Sequence, residues 1–274
     1  FFEDRTVSDL IQGHIERVVN LEDKQAQKLL RTLKSVRADL SERLLISREG
    51  TFTETQMMAT LAQVDAVIAA LNSKLKGEMS DSIDILGTRG VEDLVTEVNK
   101  FQKHFQGVAV PIDLDAAVIA QDTNNFLINQ YESSIDSYSQ GLRQQITQGL
   151  TEAVLAKANL SQVVYRIGQF FGGEQWKIER IARTELHNMY NKSKMNGMGQ
   201  IQDEYIPDLK KTLIHPMDAR TGEDSKLAAS LNLIVDIDEP FVYRYKGSVR
   251  KFMTPPDRPN DRSILVPYRE SWNN

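Results

Sequence analysis

The chain of 274 residues contains no cysteine. That excludes a disulfide scaffold, thiol catalysis and Cys-ligated zinc, and it fits a reducing compartment. Neither sign of charge is in large excess. The 33 Lys and Arg against 38 Asp and Glu leave a net −5, which gives no general affinity for nucleic acid. No apolar run approaches the roughly 20 residues that cross a bilayer, so no membrane association is expected. The phosphate cradles GxGxxG and GxxxxGK followed by Ser or Thr are missing, as is HExxH. His14, His104, His187 and His215 are too far apart for two to share one helix face, so a histidine metal site is not expected. No cofactor is implied. There is no internal repeat and no low-complexity tract. The sequence begins at Phe1, so a fragment or a processed chain is expected. The length suits one or two domains and a core that needs no staple.

Most of the chain has helical periodicity. Val7, Leu10, Ile11, His14, Ile15 and Val18 share one face, and Leu29, Leu33, Val36 and Leu40 continue at steps of three and four. "SREGTF" (47–52) interrupts with Gly50, and Thr53 with Gln56 forms a capping box. Met57, Leu61, Val64, Ile68, Leu71 and Leu75 then make a seam of period 3.5. Two such seams around a short turn predict an antiparallel helical hairpin, closed on itself or offered to another chain. Gly77, Gly87 and Gly90 punctuate the next stretch, and Val91 to Phe105 form a further face. "GVAVPIDLD" (107–115) reads as an extended link, because Pro111 steers its predecessor away from helix. Helix resumes from about Leu114 to Gln202, with breaks expected at Gly149, Asn159 and Gly172–Gly173.

Beyond Pro207 the character changes. Residues 210–216 and 241–253 favour strands, Gly247–Ser248 can turn the second into a hairpin, and 224–232 reads as a short helix. The expected fold is mainly α with a small α+β C-terminal domain. Its parts are a helical hairpin or bundle adaptor (1–110), a helical region (111–205) and a small α+β tail (206–274).

The tail holds the residues that could do chemistry. Asp218, Glu223, Asp224, Asp257 and Asp261 could supply an acid–base pair. Arg220, Arg258 and Arg262 stand among them and favour their ionised forms, which points to Asp–Arg bonds bracing loops. Arg183 and Glu185 are two apart on a helix and face different sides, so each needs its own partner, expected among the tail's carboxylates and backbone. Arg244, Lys246, Arg250 and Lys251 could offer phosphates a cationic hairpin. The tail as a whole has only 11 Lys and Arg against 10 Asp and Glu, and edge cations also discourage strand pairing.

"ERIARTELHNMYNKSKMNG" (179–197) resembles the head-morphogenesis proteins of tailed phages, the family of phage Mu protein F. Ala182, Arg183, Thr184 and Glu185 match its Ala-Arg-Thr-Glu helix. Asp218, Arg220 and Thr221 match its Asp-x-Arg-Thr turn. Pro255, Pro256, Asn260, Asp261, Arg262 and Ser263 match its closing Pro-Pro loop, and 150–171 is similar to the helix pair before the Arg-Thr-Glu helix. The similarity covers about 145–265. Where the family tends to have His or Cys, this chain has Ser225, Asp261 and Ser263, so a metal or thiol role is not carried over.

The resemblance implies a non-enzymatic minor capsid protein of the virion, assembled in the bacterial cytoplasm. Its expected partner is the portal protein, with the major capsid or scaffold protein next, in several copies around the portal, and with non-specific DNA contact through the cationic hairpin. Arg183, Glu185, Asp218, Arg220, Thr221, Asn260 and Arg262 are then structural braces. The competing readings are a generic helical interaction protein, and a hydrolase or transferase using the tail carboxylates.

Overall fold

The computed structural model describes residues 4–45, 52–219 and 221–273. The turn with Gly50 and the candidate brace Arg220 lie outside the described residues. The protein is mainly α with a small α+β part at its C-terminal end. Five helices come first: α1 (Arg5–Leu45), α2 (Glu54–Gln106), α3 (Ala116–Leu155), α4 (Leu160–Gly173) and α5 (Gln175–Glu204). Then follow β1 (Lys210–Ile214), α6 (Glu223–Ser230), β2 (Ile234–Asp236), β3 (Phe241–Tyr245), β4 (Ser248–Phe252), β5 (Ile264–Tyr268) and a final 3-10 turn, Glu270–Asn273.

Side chains define the helix starts. The Asp4 carboxylate accepts from the amides of Thr6 (2.8 Å) and Val7 (3.2 Å), and Asp115 accepts from Ala117 and Val118, both at 3.1 Å. Thr53 and Gln56 form the expected capping box, with Thr53 N donating to Gln56 Oε1 at 2.8 Å. Asn159 and Gln162 form a second box at α4. The link 107–115 is non-helical, as the proline predicted.

The described chain divides into two compact units. One comprises Phe1–Asp23, Asp81–Ile128 and Arg183–Asn274, the other Lys24–Ser80 and Asn129–Ala182. The division into 1–110, 111–205 and 206–274 follows chain order. The units do not, because α1, α2, α3 and α5 each contribute to both.

In the all-helical unit, Leu29, Leu33 and Leu40 of α1 and Val64, Ile68, Leu71 and Leu75 of α2 are buried, as the seam predicts. Antiparallel α2 and α3 are joined at their surface by Asp65–Arg143 (2.6 Å) and Lys76–Asp136 (2.9 Å). Gly149 does not break α3. A Cβ there would lie 2.4 Å from the Phe170 ring of α4, so the glycine seats that ring.

In the other unit α5 is the central helix. From Glu185 to Asn191 every residue is buried, and Ser193 and Lys194 are buried too. Gly87 and Gly90 do not punctuate α2, nor does Gly77, since the helix runs unbroken to Gln106. Their role is close approach. A Cβ on Gly90 would lie 2.4 Å from the Tyr190 carbonyl oxygen, and one on Gly87 2.3 Å from Met189 Cε. Gly90 lets α2 approach the α5 backbone, and Gly87 makes room for the Met189 side chain.

The strands form an antiparallel sheet of order β2-β1-β5 and a separate β3–β4 hairpin. The hairpin turns at Lys246–Gly247, one residue before the expected position, with φ of +47° and +81°. Such a two-residue turn with both φ positive matches strand twist. Strand β5 was not expected. Its Pro267 is tolerated because β5 lies at the sheet's edge, paired among the described residues only with β1. The 3-10 turn buries Trp272 against Phe101, and its indole N–H donates to Gln102 Oε1 at 2.9 Å.

Candidate functional site

Residues 216–219 and 221–225 lie against 257–263. Thr221 ties Pro216 to Asp218: its hydroxyl donates to the Pro216 carbonyl and accepts from Asp218 N at 3.1 Å. Arg262 grips Asp218 with two bonds, at 2.8 and 2.6 Å. Two parallel bonds to one carboxylate fix geometry as well as adding energy. A second arginine, Arg258, bridges three groups: Asp257 at 2.6 Å, Asp224 at 2.9 Å and Ser225 Oγ at 2.5 Å. Asn260, in the left-handed region at φ +62°, places its N–H 3.4 Å from Thr184 Oγ1 on α5. The loop cluster and the Arg-Thr-Glu helix therefore meet.

Beneath this surface the helix carries its own partners. His187 lies with Nδ1 2.7 Å from Glu22 Oε1 and Nε2 2.7 Å from the Ser263 carbonyl. The carbonyl can only accept, so Nε2 carries a proton. Burial opposes the charged imidazolium, but Glu22 and the Ser263 carbonyl outweigh it and hold the His187 pKa above its ordinary value. Asn191 extends the contact. It donates to Ser263 O at 3.4 Å and accepts from Leu265 N at 2.8 Å, where β5 begins.

Asp261, Ser263 and His215 contain the residue types of a hydrolytic triad in an order that cannot work. The Ser263 hydroxyl donates to Asp261 Oδ1 at 2.5 Å, so His215 Nδ1, also at 2.5 Å, must donate to Ser263. A base must accept the serine proton, and here the imidazole gives one. Ser263 is also only 1% exposed, which leaves no path for a substrate carbonyl. Burial pushes the His215 pKa down. Asp261 is held below the usual carboxylate range: burial opposes this, but Ser263, His187, His215 and Arg258 prevail. Asp257 moves the other way, raised by burial and by the neighbouring Asp261 charge. A polar cleft of about 200 Å³ opens among Thr221, Ser225, Arg258, Asn260 and Arg262, whose two guanidinium groups already hold carboxylates.

One partner of Arg183 lies outside the tail. The Arg183 Nε donates to Asp23 of α1 at 3.0 Å, with both side chains partly exposed. Glu185 is buried. The four hairpin cations are divided. Arg244 and Lys251 face solvent, Arg250 is the cross-strand partner of Tyr243 on the other face, and Lys246 in the turn pairs with Glu223 at 3.3 Å.

Beyond the contacts of His187 and Asn191, two features escaped sequence reasoning. The first is a buried charge cluster. Lys194 Nζ donates to both oxygens of Glu97 at 2.7 Å, His14 Nδ1 lies 2.6 Å from the same carboxylate, and Tyr190 donates to Asp93 at 3.0 Å. The second is Lys211, fully buried on β1, donating to the carbonyls of Ile237 (2.8 Å) and Met253 (3.0 Å). Burial pushes its pKa down to about 8. Polar residues on apolar-looking faces, such as His14 and Glu97, were the available signal.

Among the described residues, no group of three or more His, Asp or Glu could hold a metal ion, and no helix is long and apolar enough to cross a membrane. No protein-family model matches the chain, and neither a curated protein nor a solved structure matches it.

Proposed function

We propose that this chain is a structural minor head protein of a tailed phage, bound at the portal vertex and supporting head morphogenesis and DNA packaging or ejection. Convergence supports the reading. Three of the segments that resemble the family of phage Mu protein F, 182–185, 218–221 and 255–263, touch one another through Thr184–Asn260 and Asp218–Arg262, pairs 76 and 44 positions apart, with His187 and Asn191 beneath on the Ser263 carbonyl. A motif set that folds into one contact cluster behaves as a unit. On this reading the cluster is a brace: it ties two loops to a central helix so that a small module keeps one shape. Asp218, Asp224 and Asp257 are each tied to an arginine, which suits holding more than proton transfer.

The test is co-expression with a portal protein from the same genome, together with inspection of the neighbouring genes. Co-elution with the portal ring on size exclusion is expected. Elution of the chain alone, together with a gene that does not neighbour a portal gene, overturns the reading in favour of a generic helical interaction protein.

A further inference from the structure

The β3–β4 hairpin has one buried and one open face. Phe241 and Tyr243 point inward, and the Phe241 ring lies 5.3 Å beneath the Lys211 ammonium. The other face presents Val242, Arg244, Val249 and Lys251, all exposed, with the valines 48% and 55% accessible. In register Val242 opposes Lys251 and Arg244 opposes Val249, so each valine faces a cation across the ladder. No acidic residue belongs to this face.

The backbone of the same residues is also free. A two-residue turn makes its flanking pair, Tyr245 and Ser248, a hydrogen-bonded pair, and pair types alternate along an antiparallel ladder. Arg244–Val249 and Val242–Lys251 are therefore non-hydrogen-bonded pairs, whose N–H and C=O groups point out to the edges. Among the described residues neither edge meets another strand. Strand β3 packs against α6, and the Tyr245 hydroxyl donates to Glu223 there, which leaves β4 as the open edge.

We propose that β4 is a docking edge for an acidic strand of a protein partner, one that alternates carboxylates with apolar side chains along a single face, at every second residue. Backbone pairing to Val249 and Lys251 would supply affinity, with a carboxylate beside Lys251 and an apolar group on Val249 supplying choice, and with the long Arg244 side chain adding charge from the next strand. The cations select as well as attract. A second copy of this edge would place like charges together and is rejected. Nucleic acid would use the cations and leave Val249 in water. The inference rests on the hairpin alone and holds apart from the virion reading.

The test is fluorescence anisotropy with the full chain and a labelled, end-blocked hexapeptide, Glu-Thr-Val-Thr-Glu-Thr, whose glutamates and valine share one face of the strand. Saturable binding that weakens with salt is expected, with none for the same hexapeptide carrying lysine in place of glutamate. The double variant Arg244→Glu, Lys251→Glu should weaken binding by about tenfold or more and favour the lysine peptide. Val249→Pro removes an N–H that the hairpin does not use, and should also abolish binding. Circular dichroism checks each variant's fold, and Arg244→Gln, Lys251→Gln replaces the charge reversal if that fails to fold. The proposal is overturned if the glutamate peptide does not saturate, if its binding survives charge removal, or if a short DNA duplex binds and displaces it.

Discussion

Helix α2 is held in two different ways along its length. Residues 54–80 belong to the all-helical unit, and their seam of Val64, Ile68, Leu71 and Leu75 is apolar, with ion pairs only at the rim. Residues 81–106 belong to the unit that carries the strands. There the buried positions include Asp93 and Glu97 as well as Leu94 and Val98, and glycines stand where α5 approaches. An apolar seam accepts many sequences of similar volume. A buried carboxylate accepts only the partner it has. One half of α2 is thus generic packing, and the other is fitted to particular residues of α1 and α5.

The sharpest way to break this contrast is to remove one buried charge. Lys194→Met leaves Glu97 with His14 alone in a site closed to water. The expected loss is about 3–5 kcal/mol in urea unfolding, the usual cost of stranding one partner of a buried pair. Adding Glu97→Leu should recover much of it, because the unpaired charge goes too. A Lys194→Met protein as stable as the parent would mean that the cluster is not energetically fitted.

Glycine tests the same contrast without charge. At Gly90 an added methyl meets the Tyr190 carbonyl oxygen at 2.4 Å, and backbone cannot step aside, so Gly90→Ala should cost about 1–3 kcal/mol or more. At Gly77, on the same helix, nothing lies within 4 Å. Gly77→Ala should raise stability by about 0.5–1 kcal/mol through helix propensity alone. Equal effects at the two sites, read from thermal midpoints, would remove the distinction between the two halves.

Two buried cations in the strand-bearing unit should respond to pH with opposite sign. Lys211 has a folded pKa of about 8 against 10.5 for the free side chain. Between those values the unfolded chain binds more protons, so this group makes stability rise with pH. The parent should gain on Lys211→Met by on the order of 2 kcal/mol from pH 8 to 10.5. The His187 pKa is raised instead. Its contribution is fully present below about 6.5 and is lost as pH rises through the folded value, so the parent should lose ground to His187→Gln above that point. Denaturation midpoints of the three proteins across this range would show both slopes, and flat differences would rule out both assignments.

Much of this was legible in the sequence, for reasons that differ by region. The seams, the Thr53–Gln56 box and the Asn159 break follow from local rules, and they stand where the pattern put them. The Asp218–Arg262 pair was legible as chemistry, because arginines among aspartates in a loop-rich tail leave few other arrangements. Gly87, Gly90 and Gly149 were misread as breaks, since a sequence does not say whether a missing side chain serves a turn or a neighbouring helix. His187, Asn191 and Lys194 were hidden for the same reason. Their partners Glu22, Ser263 and Glu97 are 165, 72 and 97 positions away in the chain.

The smallest expected effect separates Arg183 from these buried groups. Sequence position suggests partners for it among the tail's carboxylates and backbone. Its bond to Asp23 of α1 lies near the surface, with side-chain exposures of 35% and 47%. Water and salt screen such a pair, so its coupling should be below about 1 kcal/mol. A double-mutant cycle of Arg183→Ala and Asp23→Ala isolates that coupling from every other contact either residue makes. Coupling that small and shrinking with added salt would mark Arg183 as a surface clip on α1. Salt-independent coupling above about 2 kcal/mol would place it with the buried braces, alongside Lys194 and Glu97.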